Sequence, residues 1–146
     1  MASFQDVLLR VGQLNYTWTN TESLLIYLIA GLAKTDKETA IIIFLTLNTT
    51  RARIELVERL AKMPQTPVAC RKAVLAATEQ LTQQSRLRNK YSHCIYSFDE
   101  TGTHATTQLM RIVDGKDTIR YGKIEELGEA EIERIGDAIE AIGKIN

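Results

Sequence analysis

Cysteine, proline and histidine each occur only twice in this chain of 146 residues, and each scarcity narrows what the protein can be. Cys70 and Cys94, if carried on one helix, lie roughly 35 Å apart at 1.5 Å per residue. A disulfide needs Cα atoms within about 7 Å, so no intrachain bridge is expected, which suits a reducing compartment. His93 and His104 form no zinc pattern with the cysteines, and no paired inward carboxylates point to a di-iron site, so no metal is expected. No cofactor is expected either. The eight glycines are dispersed, and none follows a strand and opens a helix as phosphate and dinucleotide loops require. The apolar runs at 24–33 and 40–45 fall short of the roughly 20 residues of a membrane span, and residues 1–10 hold no basic segment leading into an apolar core. The expectation is a cytoplasmic protein with no membrane partner.

What is present suits one globular domain over 1–146. The chain is 45% hydrophobic, enough to bury a core without staples. Formal charge is zero, which excludes a generic polyanion-coating protein. The charges are unevenly spread, however. Residues 51–90 carry nine Lys or Arg against Glu55, Glu58 and Glu79, and residues 121–146 carry seven acids against Lys123, Arg134 and Lys144.

Helical periodicity dominates. Val7, Val11, Leu14, Trp18, Thr21, Leu25, Leu28 and Leu32 step by fours and threes, predicting one helix from about Ser3 to Ala33. Thr19 and Glu22 have capping-box spacing, but the stripe runs through them. A second, mostly buried helix is predicted from about Asp36, with a β-strand over 40–47 as the alternative. Asn48-Thr49-Thr50 reads as a stop and a new N-cap. The third helix then buries Ile54, Val57, Leu60 and Ala61 and turns Arg51, Arg53, Glu55, Glu58 and Arg59 outward or to the rim. Thr66-Pro67 reads as an N-cap and first-turn proline opening a fourth helix that lasts to about His93.

After Cys94 the period changes. Ile95 to Phe98 and residues 106–113 are β-prone, separated by a turn at 99–102, and Asp114-Gly115-Lys116-Asp117 with Thr118 to Tyr121 is a hairpin signal. A last helix over about 129–144 buries Ile132, Ile135, Ile139 and Ile142. The predicted fold is mainly all-α: a helical bundle with a small β-hairpin between the last two helices.

The stretch Ser85-Arg86-Leu87-Arg88-Asn89-Lys90-Tyr91-Ser92-His93-Cys94 interrupts this pattern. The stripe Val74, Thr78, Leu81, Ser85 runs on to Arg88 and Ser92, with Asn89 and His93 one turn apart beside it. Polar residues where apolar ones were due mark a candidate site. Histidine can take or give a proton near neutrality, arginine offers a fixed fork of donors to phosphate oxygens, and an asparagine one turn away can orient either. Those parts suit phosphodiester chemistry. A Cys94 nucleophile paired with His93 is a weaker reading, since helix neighbours diverge by about 100°.

Arg88, four intervening residues beginning with Asn89, and His93, at the end of the long penultimate helix of a small bundle, resemble the Arg-x(4 to 6)-His motif of the HEPN superfamily. The resemblance covers the helical frame by architecture and only Arg88 to His93 by sequence. It implies a bundle of four to five helices and a metal-independent endoribonuclease. It also implies a homodimer through the penultimate helix, with two motifs forming one cleft. A toxin or defence-system role, with a cognate antitoxin or other regulatory protein as partner, is implied too. In one toxin subgroup a tyrosine stands two residues after the histidine; here Ile95 stands there and Tyr96 follows, so the resemblance does not extend to modification of Tyr96.

In that arrangement one His93 acts as base and the other as acid, Arg88 stabilises the developing charge and Asn89 holds geometry. Arg86, Lys90 and Tyr91 are the candidate RNA contacts at the rim. Each residue also has a plainer reading. Arg88, Asn89 and His93 can end and cap a helix, Arg86 and Lys90 can be solvated charges, and Tyr91, Tyr96 and Phe98 can pack beneath the hairpin. The alternative function is a non-catalytic HEPN-like RNA- or protein-binding module. The acidic last helix reads as a solvated face, or as one that docks on the basic middle segment.

Overall fold

The computed structural model describes residues 3–98, 100–101 and 105–145. It is mostly helical, with α1 (Phe4–Glu22), α2 (Leu25–Leu32), α3 (Lys37–Thr46), α4 (Thr50–Ala61) and the long α5 (Val68–Ser92). A small sheet region follows, made of β1 (Cys94–Phe98), β2 (Ala105–Leu109), β3 (Ile112–Asp114), β4 (Ile119–Tyr121) and β5 (Ile124–Glu126), and α6 (Glu129–Ile145) closes the order. Among the described residues there are thus six helices rather than four to five, and the strands form two sheets, ordered β1-β2-β5 and β3-β4. The chain divides into two compact units, Met1–Tyr16 with Arg86–Glu140 and Thr17–Ser85 with Ala141–Asn146.

In the unit built on 17–85, the predicted first helix is broken. Leu24, Ile26 and Tyr27 each donate to a carbonyl three residues back, and the Ser23 hydroxyl donates to Asn20 O at 2.6 Å. One tightened turn thus separates α1 from α2; Trp18, Thr21 and Leu25 of the stripe are buried, and beyond the turn Ile29 is buried where Leu28 and Leu32 are half-buried. Periodicity does not register this change of helix type.

The caps at the next two helices follow composition. Asp36 accepts from Thr39 N at 2.6 Å to start α3, and Thr49 accepts from Ala52 N at 3.1 Å to start α4. α3 is a helix, as preferred over a strand, but not mostly buried: Ala40 and Phe44 point inward while Ile42 and Leu45 are exposed. Thr66 does not cap α5. Its hydroxyl donates to Leu60 O at 3.1 Å, and Pro67 O accepts the first helical bond from Arg71.

Arg53, expected at the rim, is turned inward. Its guanidinium reaches Glu22 Oε1 at 2.8 Å and the carbonyls of Phe44 and Leu47 at 2.9 and 2.7 Å, and it lies 3.8 Å from the Phe44 ring centre. Glu22, itself buried, also accepts from Trp18 Nε1 at 2.7 Å and Thr50 Oγ1 at 3.0 Å. The capping-box glutamate is a buried hub.

In the unit built on 86–140, β1 pairs antiparallel with β2 from Cys94 opposite Leu109 to Phe98 opposite Ala105, and β2 pairs with β5. The expected hairpin is present: Ile112 faces Tyr121, Asp114 faces Ile119, and Gly115 N donates to Thr118 O at 2.7 Å. Phe4 of α1 meets Phe98 of β1 edge to face, ring centres 5.1 Å apart. Within α6, Ile135 and Ile142 are buried as expected, whereas Ile132 and Ile139 are half-buried and Ala138 is buried instead. His104 and parts of the predicted 99–102 turn lie outside the described residues.

Gly122 is the residue that the sheet cannot exchange. A Cβ there would stand 2.1 Å from the backbone oxygen of Leu109. Gly122→Ala is expected to cost about 3 kcal/mol, the upper end of overpacking, because a strand rather than a side chain must yield. Gly12→Ala, in an open position on α1, is the control: it meets nothing within 4 Å and is expected to stabilise by about 0.5–1 kcal/mol. Urea denaturation of the two variants reads both signs.

Candidate active site

The last two turns of α5 carry every residue of the sequence motif, all within one compact unit. The buried stripe fades along the helix as charge enters it. Val74, Thr78 and Leu81 are buried, and Ser85, Arg88 and Ser92 are half-buried. Arg86 and Asn89 are exposed on the other side, on a face that continues from Gln80 and Gln83.

His93 is the first residue beyond the helix. Its backbone is held on both sides: the N–H donates to Asn89 O at 3.0 Å, and the carbonyl accepts from Met110 N at 3.0 Å. The helix-to-strand passage is therefore fixed by the main chain while the imidazole is exposed. One free carbonyl of the helix end, that of Tyr91, is served by residues of β1. Tyr91 O accepts from the Tyr96 hydroxyl at 2.5 Å and from Cys94 Sγ at 3.9 Å, and the Ser92 hydroxyl donates to Asn15 Oδ1 on α1 at 3.1 Å. The capping role read for the His93 side chain belongs to Tyr96 and Cys94.

Two of the predicted RNA contacts, Tyr91 and Lys90, are drawn into contacts within the chain. Tyr91 is only 2% exposed, and its hydroxyl donates to Glu131 Oε2 of α6 at 2.6 Å. Its ring packs rather than offering a platform. Lys90 is taken by two carboxylates, Glu125 Oε2 of β5 at 2.8 Å and Glu131 Oε2 at 3.8 Å. The last helix thus docks one of its acids on the basic segment, and α5, β5 and α6 are tied at one point. The partners of Lys90 lie 35 and 41 positions away, and in the sequence only the excess of acids after Tyr121 hints at them. Arg86 keeps its expected exposure.

Burial raises the hydroxyl pKa values of Tyr91 and Tyr96 well above the ordinary tyrosine range, with the Glu131 carboxylate adding to the effect at Tyr91 and Cys94 at Tyr96. Burial also pushes the Cys94 thiol up, which disfavours the thiolate that a nucleophile needs. The hydrogen bond and charge of Lys90 hold the Glu125 carboxyl below the usual range. A depressed folded-state value means that this pair contributes stability above the unfolded glutamate pKa and loses it as pH falls through the folded one. In Lys90→Met, the Glu125 carboxyl is expected to titrate back toward the ordinary glutamate value, followed by carboxyl NMR. An unchanged Glu125 titration would contradict the pairing.

Among the described residues, no group of three or more His, Cys, Asp or Glu side chains could hold a metal ion, and no helix is long and apolar enough to cross a membrane. Comparisons with protein-family models, with curated proteins and with solved structures return no match.

Proposed function

We propose that this chain is a metal-independent endoribonuclease of the HEPN type, acting as a homodimer in which Arg88, Asn89 and His93 of two chains share one cleft. The observation that supports this most is His93. Its imidazole is exposed on a backbone held at both ends, and the helix end beside it is capped by other groups. An exposed imidazole on a backbone held by two hydrogen bonds, one turn from Asn89, supports an acid-base role.

RNA carries its own nucleophile, the ribose 2′-hydroxyl. One His93 removes that proton, the bond from the 2′-oxygen to phosphorus forms, and the bond to the 5′-oxygen breaks as the second His93 protonates it. Arg88 stabilises the charge on the phosphorane oxygens. The products are a 2′,3′-cyclic phosphate and a 5′-hydroxyl. Each chain supplies His93 and Arg88 once, so a two-fold partner along α5 completes the pair. A cytoplasmic toxin or defence component held by an antitoxin-like protein fits this chemistry.

The composite site has a distinct signature. When His93→Ala chains are mixed in excess with wild type and allowed to exchange, cleavage is expected to fall as the square of the wild-type fraction. A fall in simple proportion to that fraction would contradict a shared site. One observation favours the second reading, a non-catalytic RNA- or protein-binding module: the inward turn of Lys90 and Tyr91 thins the basic, aromatic rim. That reading expects wild type and His93→Ala to bind alike and neither to cleave.

A further inference from the structure

The β3–β4 ribbon does no packing work that accounts for its composition. All six residues of its two strands are exposed, and a two-stranded hairpin is marginal in water without a covered face. It carries Ile112, Ile119 and Tyr121 on one face, exposed by 58%, 50% and 67% and joined there by Asp114, with Val113 and Arg120 on the other.

It begins at the candidate active site. Met110 donates its N–H to His93 O, and β3 starts two residues later. β1 covers the outer edge of β2 only as far as Cys94 opposite Leu109; past that point β3 pairs with β4 alone. From Met110 to Asp114 the ribbon extends roughly 13 Å at about 3.3 Å per residue.

Its charge is the second, independent observation. Residues 110–123 hold Arg111, Lys116, Arg120 and Lys123 against Asp114 and Asp117, a net of +2 on a chain whose formal charge is zero. All four cations are exposed, and among the described residues none forms an ion pair. Aliphatic side chains alone would suit a protein partner equally. Exposed cations on the same ribbon as a solvent-facing tyrosine favour a polyanion with stackable bases.

We infer that the β3–β4 ribbon is the arm that receives single-stranded RNA leading to His93, with a base stacked on Tyr121 beside Ile112 and Ile119 and the RNA backbone passing over the ribbon's edge, its phosphates on Arg111, Arg120 and Lys123. The inference rests on the RNA-cleavage reading for its ligand and names the substrate surface of that same site. RNA is gripped beside the bond to be cut, which is what an active site with only Arg86 and Arg88 nearby on α5 lacks by itself. Single strands are favoured because Tyr121 needs an unstacked base face.

The test is binding of a fluorescein-labelled single-stranded RNA oligonucleotide to the His93→Ala full chain, by anisotropy over a salt series. Against that background, Arg120→Gln and Lys123→Gln are each expected to weaken binding several-fold and to lower the slope of log affinity against log salt by about 0.7. Tyr121→Ala is expected to weaken it roughly tenfold with the slope unchanged. These positions are exposed, and far-UV circular dichroism with thermal melts verifies that each variant is folded.

Equal affinity in all three ribbon variants would overturn the inference. Should the wild type then still cleave, the catalytic reading survives without the ribbon. Ribbon variants that lose RNA affinity beside a wild type that never cleaves would support the arm and sink the catalysis. A change of oligomer mass with RNA affinity intact would make the ribbon a protein interface and overturn its assignment to RNA.

Discussion

Glu22→Ala is expected to destabilise the protein by roughly 3–5 kcal/mol, the range for removing one partner of a buried ion pair. Three donors converge on this carboxylate: the indole of Trp18, the hydroxyl of Thr50 and the guanidinium of Arg53. Truncation strands a guanidinium whose side chain is only 17% exposed and takes an acceptor from a buried indole. Arg53 also holds the carbonyls of Phe44 and Leu47, so the loss reaches the end of α3. At about 2–4 °C per kcal/mol for a chain approaching this size, the melting temperature should fall by roughly 10 °C. Glu22→Gln keeps an acceptor and should lose less. The double variant Glu22→Leu with Arg53→Met removes both charges and should recover much of the loss. A cost below about 1 kcal/mol for Glu22→Ala, by urea denaturation, would mean that the hub is not what holds α1, α3 and α4 in their unit.

His93→Ala is expected to leave stability within about 0.5 kcal/mol of wild type, since the deleted ring is exposed and the backbone bonds to Asn89 and Met110 need no side chain. Cleavage, in contrast, should fall by at least 10²-fold and toward 10⁴-fold, because the single substitution removes both the acid and the base of a shared site. Arg88→Ala should cost about 10²–10³-fold through lost charge stabilisation. The separation of the two His93 effects is diagnostic. A residue kept for structure shifts the melting curve, and one kept for chemistry shifts the rate.

Helices with one buried stripe were legible in the chain because their signal is local and repeats every turn. The start of α3 at Asp36, the start of α4 at Thr49 and the burial of Ile135 and Ile142 all follow from residues three or four apart. What sequence reading missed depends on partners far along the chain. Arg53 finds Glu22 at a separation of 31, Lys90 finds Glu125 at 35 and Tyr91 finds Glu131 at 40. Nothing within a few turns of Arg53, Lys90 or Tyr91 shows that each will be met by a carboxylate. β5 escaped notice for a related reason: Ile124-Glu125-Glu126 is too short and too acidic to signal a strand, and it becomes one only by pairing with Thr106 to Gln108. The candidate site was readable in its Arg88, Asn89 and His93, whose types carry the chemistry. Its rim was not, since exposure is decided by α6 and the sheet.

The most direct test of the account is a digest of a mixed RNA pool by the purified wild-type protein in EDTA, at a concentration where dimers are present, with the product ends analysed. The account predicts cleavage that yields 2′,3′-cyclic phosphate and 5′-hydroxyl ends and that disappears in His93→Ala. Intact RNA after prolonged incubation with folded dimers, or products bearing 5′-phosphate and 3′-hydroxyl ends, would contradict it.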